Sequence, residues 1–303
     1  MKKQKLTVNE KITQNFIDQL ERGQIPWKRN WKKGNVAPFN ISSGRQYKTV
    51  NFLYLMSLNY EDPRFATYNG WKKLGRQVNR GQSGHIVEKW FPVLIDANGK
   101  VTKDIKKSVR SFLTQSYDVV FNIAQTSGDD IKPLTKPKSY DHDINKTCEE
   151  IINNFPAPQP SFQHHDNTPC YIPKLDSVRM PYKKQFKTAE DYYSTRFHEI
   201  VHATGSENRL NREGITTARD DVKYSYEELI AEIGAAFLSS EAGINNEALT
   251  ENSVAYINGW ISRLKNDPDM IVKASKEAQK ASDFITNKTP KKYPKIENKK
   301  ATA

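Results

Sequence analysis

The stretch STRFHEIVHATG, Ser194 to Gly205, sets two histidines four residues apart, a spacing that few folds can use. Positions i and i+4 project from one side of an α-helix, so His198 and His202 can share one tetrahedral metal ion only if this segment is helical. A further ligand must then arrive from another element. Glu199 is turned about a quarter of the way round the same helix, where it reaches a water at the metal without ligating it. HExxH on a helix is a pattern of Zn2+-dependent hydrolysis, with the histidines as ligands and the glutamate as general base. The flanking residues agree with a helix. Thr188 and Asp191 can form its N-terminal cap, Tyr193, Phe197, Ile200 and Thr204 make an apolar stripe, and Gly205 is a stop signal.

The next position at which a third histidine could follow, in the pattern HExxHxxGxxH, is Asn208, which turns the search towards a carboxylate elsewhere. YSYEELIAEIGAAFLSSEAG reads as a second helix with Glu228 and Glu232 one turn apart. Glu232 lies among Leu229, Ile233 and Ala236, where a carboxylate without a partner is costly. A metal-bound imidazole needs an acceptor for its other N–H. The spacing is similar to the Glu-zincin arrangement, in which a second helix supplies the ligand and then an acceptor for a histidine. On that basis Glu228 is the expected third ligand and Glu232 the outer acceptor, with Glu227 as the alternative. His85, His142 and the adjacent pair His164 and His165 lack ligand spacing. Tyr224, Tyr226 and Arg196 all remain open as stabilisers of an oxyanion.

Charge divides the chain in two. Residues 1–125 hold 22 Lys+Arg against 9 Asp+Glu, a net of +13, whereas residues 126–303 hold 25 against 26, a net of −1. An excess confined to one half points to a polyanionic partner, with nucleic acid the first expectation. No apolar run is long enough to span a membrane, the start MKKQKLTVNEK lacks the apolar segment of a secretion signal, and Cys148 and Cys170 form no disulfide or metal framework. These features predict a cytoplasmic protein with two ordinary thiols and no membrane partner.

The expected fold class is α+β, in two domains. TVNEKITQNFIDQLERG from Thr7 is an amphipathic helix, with a capping box at Thr7 and Glu10 and a stop at Gly23. VNFLYL, HIVEKWFPVLI and SYDVVFNIAQ read as strands, and NISSGR and ANGK as turns. A small mixed α+β unit over 1–125 follows, able to act by itself. The Pro- and Gly-containing TSGDDIKPLTKPKS opens a linker over 126–145, DINKTCEEIINNF is a further helix, the metal-binding domain spans 146–287, and 288–303 is a disordered basic tail.

Within the basic half, aromatic and cationic residues are interleaved. IPWKRNWKKG brings Trp27, Lys28, Arg29, Trp31, Lys32 and Lys33. GRQYK adds Arg45 and Tyr47, and GWKKLGRQVNR adds Trp71, Lys72, Lys73, Arg76 and Arg80. Rings that stack on unpaired bases beside cations that track phosphates are what single-stranded DNA binding requires.

Taken with QLERGQIPWKRNW, PFNISSGRQYKTVNFLYL, GWKKLGRQVNRGQSG, VVFNIAQTSG, YYSTRFHEIVHATG followed by Arg209, YSYEELIAEIGAAFL and the closing AYINGWISRLKNDPDMIVKASKEAQKASDFI, the chain resembles the ArdC-type antirestriction family over roughly Val8 to Ile285. The departure is RGQSGH, where the family more often has an acid near Gln82. The resemblance implies an N-terminal single-stranded-DNA-binding domain and a C-terminal zincin-like metallopeptidase domain. It also implies carriage on conjugative elements, protection of incoming DNA from restriction and a possible protein substrate.

Overall fold

Thr7 opens the first helix, α1 (Val8–Glu21), through the anticipated capping box: its hydroxyl accepts from the Glu10 amide, and the Glu10 carboxylate accepts from the Thr7 amide. The computed structural model describes residues 6–28, 37–132, 134, 144–165, 168–216, 222–244 and 251–288. Beyond α1 the N-terminal part contains β1 (Phe39–Asn40), β2 (Arg45–Gln46), α2 (Thr49–Ser57), β3 (Arg64–Thr67), α3 (Tyr68–Lys73), β4 (Arg76–Val78), β5 (His85–Asp96), β6 (Val101–Thr102), β7 (Ser108–Asn122) and β8 (Thr126–Gly128). Six strands form one sheet in the order β2-β1-β3-β7-β5-β6, mixed because β1 and β3 run parallel. Its longest pairing is antiparallel β5–β7, in register from His85↔Val120 to Ile95↔Arg110, with a shift at Val109 before Asp96↔Ser108.

Two expectations are corrected here. VNFLYL is helical, forming most of α2, with Val50, Phe52, Leu53, Leu55 and Met56 buried. A short unbroken apolar run lacks the alternation that would distinguish strand from helix, so packing against α1 and the C-terminal helices decides it. The linker also cannot begin at residue 126. Thr126–Gly128 pairs with β4, the Asp129 amide donates to the Gly75 carbonyl, and Arg64 donates to the Lys132 carbonyl, so this stretch belongs to the N-terminal unit. The rest of the linker up to 143, apart from residue 134, and the tail from 289 lie outside the described residues.

The C-terminal part holds α4 (Ile144–Asn153), a three-stranded sheet of β9 (Ser161–His164), β10 (Cys170–Ile172) and β11 (Ser177–Met180) in the order β10-β11-β9, then α5 (Ala189–Ala203), α6 (Val222–Ala242), α7 (Glu251–Asn266) and α8 (Met270–Ile285). Leu229, Ile230, Ala231, Ile233, Ala235, Ala236 and Leu238 are all buried, so α6 is apolar on nearly every side, as a central helix must be. It packs on α5 and α8, and the same core runs without a break into the N-terminal part through Ile12, Phe16, Leu20, Trp27 and Phe52. Trp27 meets Trp260 edge-on at 5.4 Å between ring centroids, and Phe52 meets Phe237 at 5.2 Å. Cys148 is buried, its thiol pushed up to about 12 by burial, and Cys170 is half-buried. Among the described residues no helix is long and apolar enough to cross a membrane.

Candidate metal centre

Helix α5 is set by its ends and one buried face. The Thr188 hydroxyl accepts from the Asp191 amide at the N-terminus, and Tyr193, Phe197, Ile200 and Thr204 are buried. That anchoring aims His198 and His202 at α6. The two helices approach closely because Gly234 faces Val201, where a Cβ would meet the valine methyls at 2.8 and 2.9 Å. Glu228 thereby comes within reach of both rings.

His198 Nε2 and His202 Nε2 lie 3.1 Å apart, and the Glu228 oxygens stand 3.6 Å from the first and 3.4 Å from the second. Four ligands about 2.0–2.1 Å from a tetrahedral Zn2+ stand about 3.3–3.4 Å from one another, so this triangle fits such an ion. The ligand atoms of His198, His202 and Glu228 all fall within 4.8 Å of one another, the grouping of this kind among the described residues. The electrostatics also suit a cation. Burial would raise the Glu228 carboxyl, but His202 and His198 outweigh it and hold it well below the usual carboxylate range. At His202 burial opposes the charged form, yet the Glu228 and Glu227 carboxylates push the ring up to about 10. Burial pushes Glu199 up, a shift that the two histidines only partly offset.

The expectation that Glu232 stands behind a histidine is corrected: Glu227 occupies that place beside His202. Glu227 stands 3.2 Å from His202 Nδ1 and accepts from Arg212 Nε at 2.8 Å and Nη2 at 2.7 Å. Arg212, itself buried, also donates to the Thr204 hydroxyl and the Val201 carbonyl, both at 2.8 Å, and so ties the end of α5 to α6. Glu232 lies one turn beyond Glu228, past the imidazoles, and pairs with Lys28 Nζ at 3.1 Å. Sequence reasoning missed Arg212; the adjacent acids Glu227 and Glu228 at the start of an apolar helix were the available signal.

The cluster opens into a cavity of about 380 Å³ walled by the edge strand β10 on one side and by Ile215, Thr216 and Tyr224 on the other. Of the three oxyanion candidates, Tyr224 lines it. Arg196 pairs with Glu149 at 2.9 Å and covers the Phe162 ring, and Tyr226 packs against the core. Arg209 grips Asp176 with both terminal nitrogens at 2.7 Å, away from the metal ligands. His85 bonds to the Tyr60 hydroxyl at 3.0 Å, far from ligand geometry.

The N-terminal candidates separate into buried and exposed residues. Trp27 is 3% exposed and Trp71 0%, the latter with its indole N–H donating to the Phe121 carbonyl at 2.9 Å, so neither ring offers a face to a base. Lys28 is held by Glu232, and the Arg76 guanidinium is held by the Thr126 hydroxyl and carbonyl and the Asp129 carbonyl, so neither is available to a phosphate. Tyr47 is half-buried edge-on to Phe65. Arg45, Lys72, Lys73 and Arg80 are exposed. Arg29, Trp31, Lys32 and Lys33 lie outside the described residues. The single-strand preference assigned to Trp27 and Trp71 is thus overturned: an aromatic among cations is equally an apolar anchor flanked by solvated charge, and both rings are anchors.

Comparison with known proteins divides the chain similarly. Residues 7–121 match the family described as the N-terminal domain of anti-restriction factor ArdC, and residues 147–277 match a zincin-like metallopeptidase family. The crystal structure of metal-free antirestriction ArdC protein from the R388 plasmid superposes with a TM-score of 0.71 at 26% identity, covering 93% of this chain and 98% of that one. Its Mn(II)-bound form gives 0.69 at 27% identity, with the same coverage. Among curated proteins, a DNA primase TraC of Escherichia coli is 33% identical over 299 residues, which is 91% of this chain but 27% of that protein. The chain therefore spans about a quarter of the first curated relative's length. The uncharacterized protein y4eC of Sinorhizobium fredii is 27% identical over 92% of this chain and 91% of its own length.

Proposed function

The chain belongs to the ArdC-type antirestriction family, and on that premise we propose that it binds single-stranded DNA, protects incoming DNA from restriction, and holds Zn2+ at a hydrolytic centre. The observation that supports the DNA part is the confinement of the whole +13 excess to residues 1–125. His198, His202 and Glu228 would hold the ion, and the Mn(II)-bound relative supports a divalent metal there. When bound, such a metal polarises a carbonyl and makes water a stronger acid. Glu227 keeps the proton of His202 on Nδ1, which leaves Nε2 free to ligate. Glu199 would take a proton on its carboxylate from the attacking water and return it to the leaving nitrogen. Tyr224 would face the substrate carbonyl across the cavity.

Two activities fit this arrangement. Protection can come from occupancy of the strand by the basic half. A second reading, cleavage of a protein target by a peptidase localised on DNA, is favoured by Glu199 beside the ligands, since a purely structural metal site has no use for a general base. Glu199→Gln separates them. It removes the base while leaving the ligands, so metal content and strand binding persist and peptide hydrolysis is lost. Survival of protection in a transformation assay into a restricting host assigns it to shielding, the outcome we expect. Loss of protection in protein that still binds both metal and DNA would assign it to cleavage.

A further inference from the structure

Nine of the fifteen exposed large hydrophobic residues among those described fall between Trp90 and Val119, on the β5–β7 hairpin. That hairpin leaves the sheet almost at its base, beyond the His85↔Val120 pair. β3 pairs only with Val120–Asn122 of β7, and β6 only with Leu94 and Ile95 of β5. Between these contacts, Lys89–Val93 and Phe112–Ser116 pair, among the described residues, only with each other. A two-stranded ribbon with bare aromatics is a poor structure in water and an aggregation hazard unless something else uses it.

Its charge identifies the user. Residues 89–116 hold six cations, Lys89, Lys100, Lys103, Lys106, Lys107 and Arg110, all exposed, against two acids, and Lys89 pairs with Asp118 just beyond that stretch at 3.2 Å. Both acids are occupied by backbone: Asp96 accepts from the Asn98 and Lys100 amides, and Asp104 from the Lys106 amide. The register then orders the residues on one face. Phe91 opposes Thr114 and Phe112 opposes Val93, which makes the two rings diagonal neighbours, 39% and 53% exposed. Lys89 lies two positions before Phe91 and Arg110 two before Phe112, so one face reads cation, ring, ring, cation. The opposite face presents Trp90, 46% exposed, with Lys276 of α8 4.7 Å above its ring, and Leu113 beside Pro92.

We propose that the β5–β7 ribbon is the single-stranded DNA grip of this chain, with Phe91 and Phe112 stacking on successive bases and the flanking Lys and Arg residues meeting phosphates. The assignment rests on the strand-binding reading above and deepens it, replacing the buried tryptophans as the source of single-strand preference. Duplex bases show only their edges, whereas unpaired bases can lie flat on exposed rings, so cations interleaved with bare aromatics favour the single strand over both duplex DNA and an acidic protein.

The test uses the full-length protein with an oligothymidylate of about 20 nucleotides and a duplex of equal length, titrated at several salt concentrations. Phe91→Ala with Phe112→Ala is expected to weaken single-strand binding roughly ten- to hundred-fold or more, while metal content and the thermal midpoint stay as in the parent, because both rings are exposed. Lys106→Glu, Lys107→Glu and Arg110→Glu together should weaken binding and flatten its salt dependence. If the parent binds the single strand and both variants bind as tightly, the ribbon is not the grip, although strand binding by the chain stands. If the parent binds no single strand at all, the functional reading fails and the assignment with it. A change from dimer to monomer on sedimentation, with DNA affinity untouched, would make the ribbon a self-association surface and overturn the proposal.

Discussion

At Glu232 a carboxylate 2% exposed sits in the middle of an apolar helix, and the Lys28 ammonium, 10% exposed, offsets the cost of burying it. Five residues earlier, Glu227 is equally buried but is held low by Arg212 and His202, which outweigh its burial. These two acids therefore respond differently to the same change. Glu227→Gln removes the anionic acceptor behind a ligand and is expected to lower metal affinity about 10- to 100-fold, as read by competition with a chelator. Glu232→Gln should leave that affinity nearly unchanged and instead strand a buried lysine, a loss of roughly 3–5 kcal/mol in a denaturant titration. Replacing both members of the pair, Lys28→Met with Glu232→Leu, should recover most of that stability, since a well-packed apolar pair can match a buried ion pair. If Glu232→Gln instead sheds the metal with stability unchanged, the roles of the two glutamates are reversed.

Helix α6 carries Glu228 up to the two histidines because its contact with α5 is tight. At Gly234 an added methyl would press on the Val201 side chain at 2.8 Å, and a β-branched residue locked in a helix has little room to turn away. Alanine there gains about 1 kcal/mol of helix propensity and loses roughly 1–3 kcal/mol to overpacking, so Gly234→Ala should lower the thermal midpoint and loosen metal binding as α5 and α6 part. Gly259 of α7 is the control. Nothing lies within 4 Å of its added Cβ, so Gly259→Ala should raise the midpoint by the propensity term. Equal effects at the two glycines would show that α5–α6 contact does not set the site. Elements differ in how far their sequence announces them. The capped helices α1 and α5 have local signals at their ends and a periodic face, whereas α2 has only an apolar run that either structure could bury.

Across the whole molecule, the two family segments share one core. Besides the Trp27–Trp260 and Phe52–Phe237 contacts, the Thr13 hydroxyl donates to the Pro268 carbonyl at 2.6 Å and Lys265 pairs with Glu21 at 2.6 Å. A fragment of residues 1–125 would expose Ile12, Phe16, Leu20, Trp27 and Phe52 together, a patch large enough to drive association. The expectation that this half acts by itself is replaced by another: full-length protein unfolds in one cooperative transition, and the 1–125 fragment shows no transition of its own and aggregates. Two resolved transitions in calorimetry, or a monomeric folded fragment, would contradict the shared core. The same continuity joins the functional parts, since Lys28 of the basic half and Glu228 of the metal cluster meet the same helix, α6, at Glu232 and one turn before it.

His198, His202, Glu199 and Glu228 were legible from the chain alone, because helical periodicity is local: a four-residue spacing places two side chains on one side whatever the rest of the molecule does. Charge segregation was legible for a similar reason, since formal charge belongs to residues and not to contacts. Which of three neighbouring glutamates backs His202, and whether a tryptophan among lysines is an anchor or a stacking platform, depended on partners 15 to more than 200 residues away: Arg212 for Glu227, Lys28 for Glu232, Trp260 for Trp27. Burial is a property of the packed chain, and short-range pattern holds no information about which distant surface closes over a given side chain. The exposed rings of the β5–β7 ribbon show the converse. Their adjacent placement as Trp90 and Phe91 put apolar groups on both faces of one strand, but only the tertiary structure, which leaves that ribbon without edge neighbours among the described residues and sets α8 over the Trp90 side, decided that Phe91 and Phe112 stay exposed.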